Sequence, residues 1–327
     1  MNNVISSVKA DKLSVYKTKQ KIKKALNLIL KYVFLLAFGY LILYPLFYMI
    51  SVSFRSAETF FDPSITWITF NLTDEFAKTA LDVLAYGKTL WNTISYEVVS
   101  ALLEVISCSV AAYGLARFDF KGKKIYEAML FITILVPVQI TVLPQMVNYA
   151  HFDILGILGL FNKLTGIDLR PNLLDTHLAF WLPSICGVGL RSGILIYIYR
   201  QFFKGLPKEL EEAAAIDGAN SLTTYIRVAV PSSGVVIFTV LIFSLIWHWN
   251  DYYLSATYLT KNFPLAVSVS RIAESLQVRG IYWGTGSPEA TAIVMAGCLF
   301  FVLPMLIFYM IIQRKFVKSI DRVGITG

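Results

Sequence analysis

An all-α integral membrane protein is the fold class that the sequence predicts, and three observations predict it. Hydrophobic residues make up 56% of the 327 and charged residues only 15%, more apolar surface than one water-soluble core of that length buries. Uncharged runs long enough to cross a bilayer recur along the chain, since about 20 helical residues cover a hydrocarbon layer roughly 30 Å thick. Lysine and arginine are also shared unequally between the segments that join these runs, as topology signals are. The shortage of charge excludes disorder, and three cysteines are too few for a disulfide-stapled secreted domain. The net charge of +8 alone would suit a nucleic-acid binder. Its basic residues flank the apolar runs instead, so no nucleic-acid partner is expected.

Four runs predict spans outright: about 32–54, 128–150, 228–250 and 290–313. Two more carry charge inside them, 91–116 with Glu97 and Glu104, and 176–199 with Arg191. Both are long and apolar enough to count, so six spans are expected within a membrane domain of residues 32–313. Prolines at 45, 137, 144, 183, 231 and 304 fall inside these spans. They predict kinks rather than interruptions, because neighbouring groups in a bundle can satisfy the freed carbonyls.

Charge counting gives the orientation. Residues 1–31 hold eight lysines, residues 117–127 and 200–227 four basic residues each, and the tail 314–327 four more. The alternate segments 55–90, 151–175 and 251–289 hold eight between them. Both termini are therefore expected in the cytoplasm of a multi-pass cell-membrane protein. The basic head is long, the first apolar run exceeds a signal-peptide core, and no small-residue cleavage pattern follows, so no cleavable signal is expected. Residues 17–31 could form a basic helix lying on anionic lipid. The simpler expectation is a topology anchor with a disordered start.

The segment 206–227 between the fourth and fifth spans has an architecture of its own. Pro207 is placed for a first turn, Glu209, Glu211 and Glu212 follow where a helix dipole favours acid, and Ala213 to Ala215 maximise propensity. Asp217-Gly218 supplies a left-handed stop, and Ser221 is placed to cap a second helix running towards Pro231.

These residues resemble the membrane subunits of binding-protein-dependent ABC importers. The family's signature is Glu-Ala-Ala, three residues, Gly, nine residues, then Ile-x-Leu-Pro. Here it reads Glu212-Ala213-Ala214, Gly218 and Val228-Ala229-Val230-Pro231. The two valines are the departures, both apolar. Ala112 to Phe118, Gln201-Phe202-Phe203, Leu206 to Leu210, Trp249-Asn250-Asp251 and Gln313 to Lys318 are similar to the MalG-type carbohydrate branch. The Lys-rich head and a longer stretch at 151–175 depart from it.

The resemblance implies a six-transmembrane-helix type I ABC importer permease fold with a cytoplasmic coupling helix. It also implies a second homologous permease subunit, an ATPase dimer carrying ATP and Mg, and an extracytoplasmic sugar-binding protein. No cofactor is expected on this chain, and its membrane lipids are its remaining partner. Glu212 would anchor the ATPase contact, Ala213 and Ala214 would permit close packing, and Asp217 and Gly218 would form the turn. The chain itself is not expected to be an enzyme. Gly87-Lys88-Thr89 imitates the end of a phosphate loop, but Asp82 stands where the leading glycine is required. The histidines and cysteines are scattered among the spans, so no metal site is expected.

Candidate pathway residues are Glu97, Glu104, Arg191, Trp249, Asn250 and Asp251. Charges within spans are costly and must face protein or water. Glu97 and Glu104, seven apart and nearly on one stripe, could line a polar route or pair with Arg191. The string Trp247 to Asp251 offers aromatic faces, an amide and a carboxylate, a mixture suited to sugars and equally to an interfacial belt. A stand-alone secondary transporter or channel is the alternative, with a membrane enzyme or scaffold behind it.

Overall fold

The computed structural model describes the backbone of residues 2–61, 71–153, 156–280 and 287–324, and the side chains of 19–60, 71–153, 156–280 and 287–313. The lysines before residue 19 and the basic tail after Gln313 therefore have no described side chains. The described residues are helical almost throughout: α1 Asn2–Ser53, α2 Glu75–Val83, α3 Tyr86–Arg117, α4 Lys123–Leu135 and α5 Val138–Ala150. Then come α6 Ile157–Thr165, α7 Leu178–Ile185, α8 Ser192–Gly205, α9 Glu209–Ile216 and α10 Ser221–Ser232. The chain continues with α11 Gly234–Trp249, α12 Tyr253–Tyr258, α13 Leu265–Ser270, α14 Ile272–Val278 and α15 Pro288–Gly324.

Among the described residues three helices are long and apolar enough to cross a membrane: Lys19–Ser53 of α1, α3, and Pro288–Gln313 of α15. Two bent pairs would bring the number to five, α4 with α5 at 103° and α10 with α11 at 80°. The expected kinks are thus sharper than a kink at two places. Val136 and Pro137 are both extended at the α4–α5 break, because a residue before proline is pushed out of the helical region. Pro45, Pro144 and Pro304 stay inside unbroken helices. The expected span at 176–199 is not one helix. It breaks between Ile185 and Ser192, where Gly187 and Arg191 both have positive φ. Its halves are about 12 Å and 21 Å long, each short of the hydrocarbon thickness.

The head, for which a disordered start was expected, takes a helical backbone: α1 runs without a break from Asn2 through Lys31 into the apolar stretch.

α3 is the central post, packed on α7, α8 and α11. Small side chains on its inner face, Cys108 and Ala112, are fully buried against Leu195, Tyr199 and Phe203 of α8 and Val240 of α11. Small residues let large aromatics on the neighbouring helix approach closely. A second core joins α2 to α15 through Phe76, Ala80, Ala292, Ile293 and Ala296. A third, aromatic core holds Tyr96, Tyr149, Phe180 and Tyr258. Asp175 ties this third core down by accepting from the amide and hydroxyl of Thr260 at 2.6 and 2.7 Å.

Candidate functional site

The segment 206–227 folds as two short helices around a tight turn. α8 ends at Gly205, and Leu206 is extended, as a residue before proline should be. Lys208 is the N-cap and α9 begins at Glu209, two residues later than a proline first turn would place it. Its end is a Schellman turn: the amide of Ala219 donates to the Ala214 carbonyl at 2.9 Å, and that of Gly218 to Ala215 at 3.0 Å. Gly218 takes φ +81, a conformation in which a Cβ is strained, so the glycine at this position is a backbone requirement. The cap of α10 is not Ser221 but Asn220, whose Oδ1 accepts from the Thr223 amide at 2.8 Å. Glu212, Ala213, Asp217 and Gly218 are exposed and Ala214 is half-buried. Ile216, Leu222 and Ile226 are exposed as well.

This two-helix knob rests on the end of α3. The Arg117 guanidinium donates from Nη2 to the Leu206 carbonyl at 2.8 Å, and its Nε lies 2.8 Å from Glu211 Oε1. Tyr225 donates to Ser109 Oγ at 2.9 Å, and the Tyr113 ring packs 5.0 Å from that of Tyr225.

A second cluster lies between α3 and α11. Glu97 and Glu104 do share a face, and what joins them is His248, not Arg191. The imidazole places Nδ1 3.2 Å from Glu97 Oε2 and Nε2 3.0 Å from Glu104 Oε2. Ser255 donates to Glu97 Oε1 at 2.6 Å, and Ser244 to Glu104 Oε2 at 3.2 Å. Glu97, Glu104 and His248 are all buried. A wide turn over Ile94–Val98 carries Glu97, a distortion that often marks a constrained site. It also leaves the Ser95 carbonyl to accept from Trp181 Nε1 at 2.9 Å.

Of the remaining candidates Asp251 adjoins this cluster, because the Ser255 whose amide donates to Asp251 also donates its hydroxyl to Glu97, while Arg191, Trp249 and Asn250 make other contacts. Arg191 lies over the Trp247 ring, 5.1 Å from its centroid. Trp249 is buried and donates to the Phe301 carbonyl at 3.1 Å. Asn250 is exposed and its amide donates to Ile246 at 2.8 Å. Asp251 is buried and caps α12, accepting from the amides of Leu254 and Ser255 at 3.3 and 3.0 Å. Sequence reasoning missed His248 as the bridge and Arg117 as the prop. The signals were available as polar residues inside an apolar run and as a basic residue at a helix end. Among the described residues no group of three or more His, Cys, Asp or Glu side chains is arranged to hold a metal ion.

Residues 105–322, more than half of the chain, match the family described as binding-protein-dependent transport system inner membrane components. The chain belongs to this family. It is a permease subunit of an ABC importer, a multi-pass membrane component that is not itself catalytic. The alpha-glucoside transport system permease protein AglG of Rhizobium meliloti is 25% identical over 78% of the chain, which spans 60% of that relative's length. The arabinooligosaccharides transport system permease protein AraQ of Halalkalibacterium halodurans is 24% identical over 88% of this chain and 93% of its own. A crystal structure of a bacterial ABC transporter involved in the import of alginate has a chain that superposes with a TM-score of 0.67. It covers 88% of this permease and 95% of itself at 21% identity, which is a likeness of fold.

Proposed function

We propose that the permease forms one membrane half of an ATP-driven carbohydrate importer and is moved by a separate ATPase through α9. Six crossings, with the broken pair α7 and α8 as the fourth, would keep both termini and segment 206–227 in the cytoplasm. A second, homologous permease would complete the pathway, and an extracytoplasmic binding protein would deliver the solute.

The observation that carries this reading is the knob itself. The Glu-Ala-Ala spacing coincides with a short helix closed by a glycine turn, bearing exposed small and apolar side chains at Ala213 and Ile216, with Leu222 exposed just beyond the turn on α10. Small side chains allow a partner's backbone to come close, and a rigid turn transmits displacement instead of absorbing it. Carbohydrate is the solute class because AglG and AraQ are named for alpha-glucosides and arabinooligosaccharides. Glu212 would be the polar anchor in the ATPase cleft, and ATP and Mg would be held by the ATPase.

The test is reconstitution in lipid vesicles with the partner permease, the ATPase and the binding protein. Labelled oligosaccharide should accumulate only with ATP, and a cysteine at Ala213 should cross-link to the ATPase. Uptake driven by a proton gradient in vesicles lacking the ATPase would overturn the reading, and would move attention to Glu97, His248 and Glu104.

A further inference from the structure

Segment 206–227 is joined by the chain to α8 and α11, but not to α3. Three side chains of α3 nevertheless reach it, Ser109, Tyr113 and Arg117, spaced by four so that they form one stripe of the helix. Ser109 accepts from Tyr225, Tyr113 packs between Tyr225 and Phe203 with centroids 5.0 and 5.4 Å away, and Arg117 holds both Leu206 and Glu211. Arg117 stands apart from the other two because its anchors lie on either side of Pro207. One is the carbonyl of the residue leaving α8 and the other is a carboxylate in the first turn of α9, so the guanidinium spans the hinge between them. Its side chain is 7% exposed and that of Glu211 22%, unlike a solvated surface pair that contributes little.

The same helix carries Glu97 and Glu104, which hold His248 of α11. α3 thus connects the knob at one end with a buried polar clamp further along.

We infer that Arg117 is a positioning residue that fixes the angle of α9 to α3, so that displacement of the knob by the ATPase moves α3 together with α8 and α11. This rests on the proposed coupling role of α9. Without Arg117 the knob still docks, but it turns about Leu206 and Pro207 and delivers less of its motion to α3. Lysine is not an equivalent substitute, because a single ammonium on a flexible stem cannot reproduce two contacts made from separate nitrogens, the Nη2 hydrogen bond to Leu206 and the Nε ion pair with Glu211.

The experiment uses the complete importer in lipid vesicles and measures solute imported per ATP hydrolysed. R117A is expected to lower that ratio by about fivefold or more, the lower end of typical coupling between sites, while the cysteine at Ala213 still cross-links to the ATPase. R117K should fall between R117A and the parent, and the exchange R117E/E211R should recover part of the ratio by restoring the ion pair with reversed sign. A purely structural residue would lower the yield or the unfolding temperature and leave the ratio unchanged. If R117A does not assemble, E211A removes one anchor and keeps the Leu206 contact, and a lowered ratio is expected there too. An unchanged ratio in R117A, or in E211A where that stands in, with the cross-link intact, overturns the inference alone. Absence of the cross-link in the parent importer overturns the coupling role itself and this inference with it.

Discussion

His248 has carboxylates on both sides of its ring, at 3.2 and 3.0 Å, and all three side chains are buried. Truncating it would leave Glu97 and Glu104 facing a void with their shared partner gone. Breaking a buried pair in this way costs about 3–5 kcal/mol, so His248→Ala should lower the unfolding temperature of the detergent-solubilised permease by many degrees; an unaltered melting curve would show that the clamp does not hold α3 to α11. A milder effect with a pH signature belongs to Asp175. Burial raises its pKa, but the amide and hydroxyl of Thr260 together with the amide and charge of Lys261 outweigh that and hold the carboxyl below its ordinary 3.8. A depressed folded-state pKa contributes stability that is present above the unfolded value and lost as pH falls through the folded one. The difference in unfolding temperature between the parent and Asp175→Asn should therefore be largest above about pH 4 and shrink below the ordinary carboxylate range. A constant difference across that window would mean that the lost contact is not electrostatic.

Among the helical elements, α9 was the most legible and α7–α8 the least, for reasons that are physical. The end of α9 is written locally: Asp217-Gly218 demands a left-handed turn whatever surrounds it, and the chain obliges with φ +81 at Gly218. The break between α7 and α8 is written by tertiary contacts. A Cβ on Gly189 would come within 2.8 Å of Glu104 Oε1 and 3.2 Å of the Ser184 backbone, a close approach to α3 that no pattern within residues 176–199 announces. Mean apolarity made this stretch look like one span, and packing divided it. Likewise Glu97 and Glu104 could be placed on one stripe from their spacing, yet their partner sits 144 residues from Glu104, where periodicity gives no information. Since the turn of α9 is local, its replacement should act locally. Gly218→Val places a β-branched residue in the left-handed region at a cost of about 1–2 kcal/mol. Nothing lies within 4 Å of the position to add a clash. The variant should insert and fold, but its cross-link from Ala213 to the ATPase and its ATP-driven uptake should both fall. Full retention of both would show that the turn geometry does not matter to docking.

At the scale of the whole molecule, apolar side chains face outward over long bands, including Leu36 of α1, Ile106 of α3 and Leu143 and Val147 of α5. Water would penalise each such surface at about 25 cal/mol per Å², so these bands require lipid or a second subunit against them. Lipid alone does not say which end of the bundle faces in. That information lies in the loops, where the segments 1–31, 117–127 and 200–227 with the tail carry far more lysine and arginine than 55–90, 151–175 and 251–289. Two exposed positions test it directly, Ile216 at the end of α9 and Leu164 on α6, at 88% and 77% exposure. With Cys108, Cys186 and Cys298 replaced by serine, a membrane-impermeant maleimide added to intact cells should label a cysteine at 164 at once. A cysteine at 216 should react only after the membrane is opened. Labelling of 216 from outside would put the knob beyond the reach of any cytoplasmic ATPase, and the ion pair between Arg117 and Glu211 would then brace an external loop with no motor to couple.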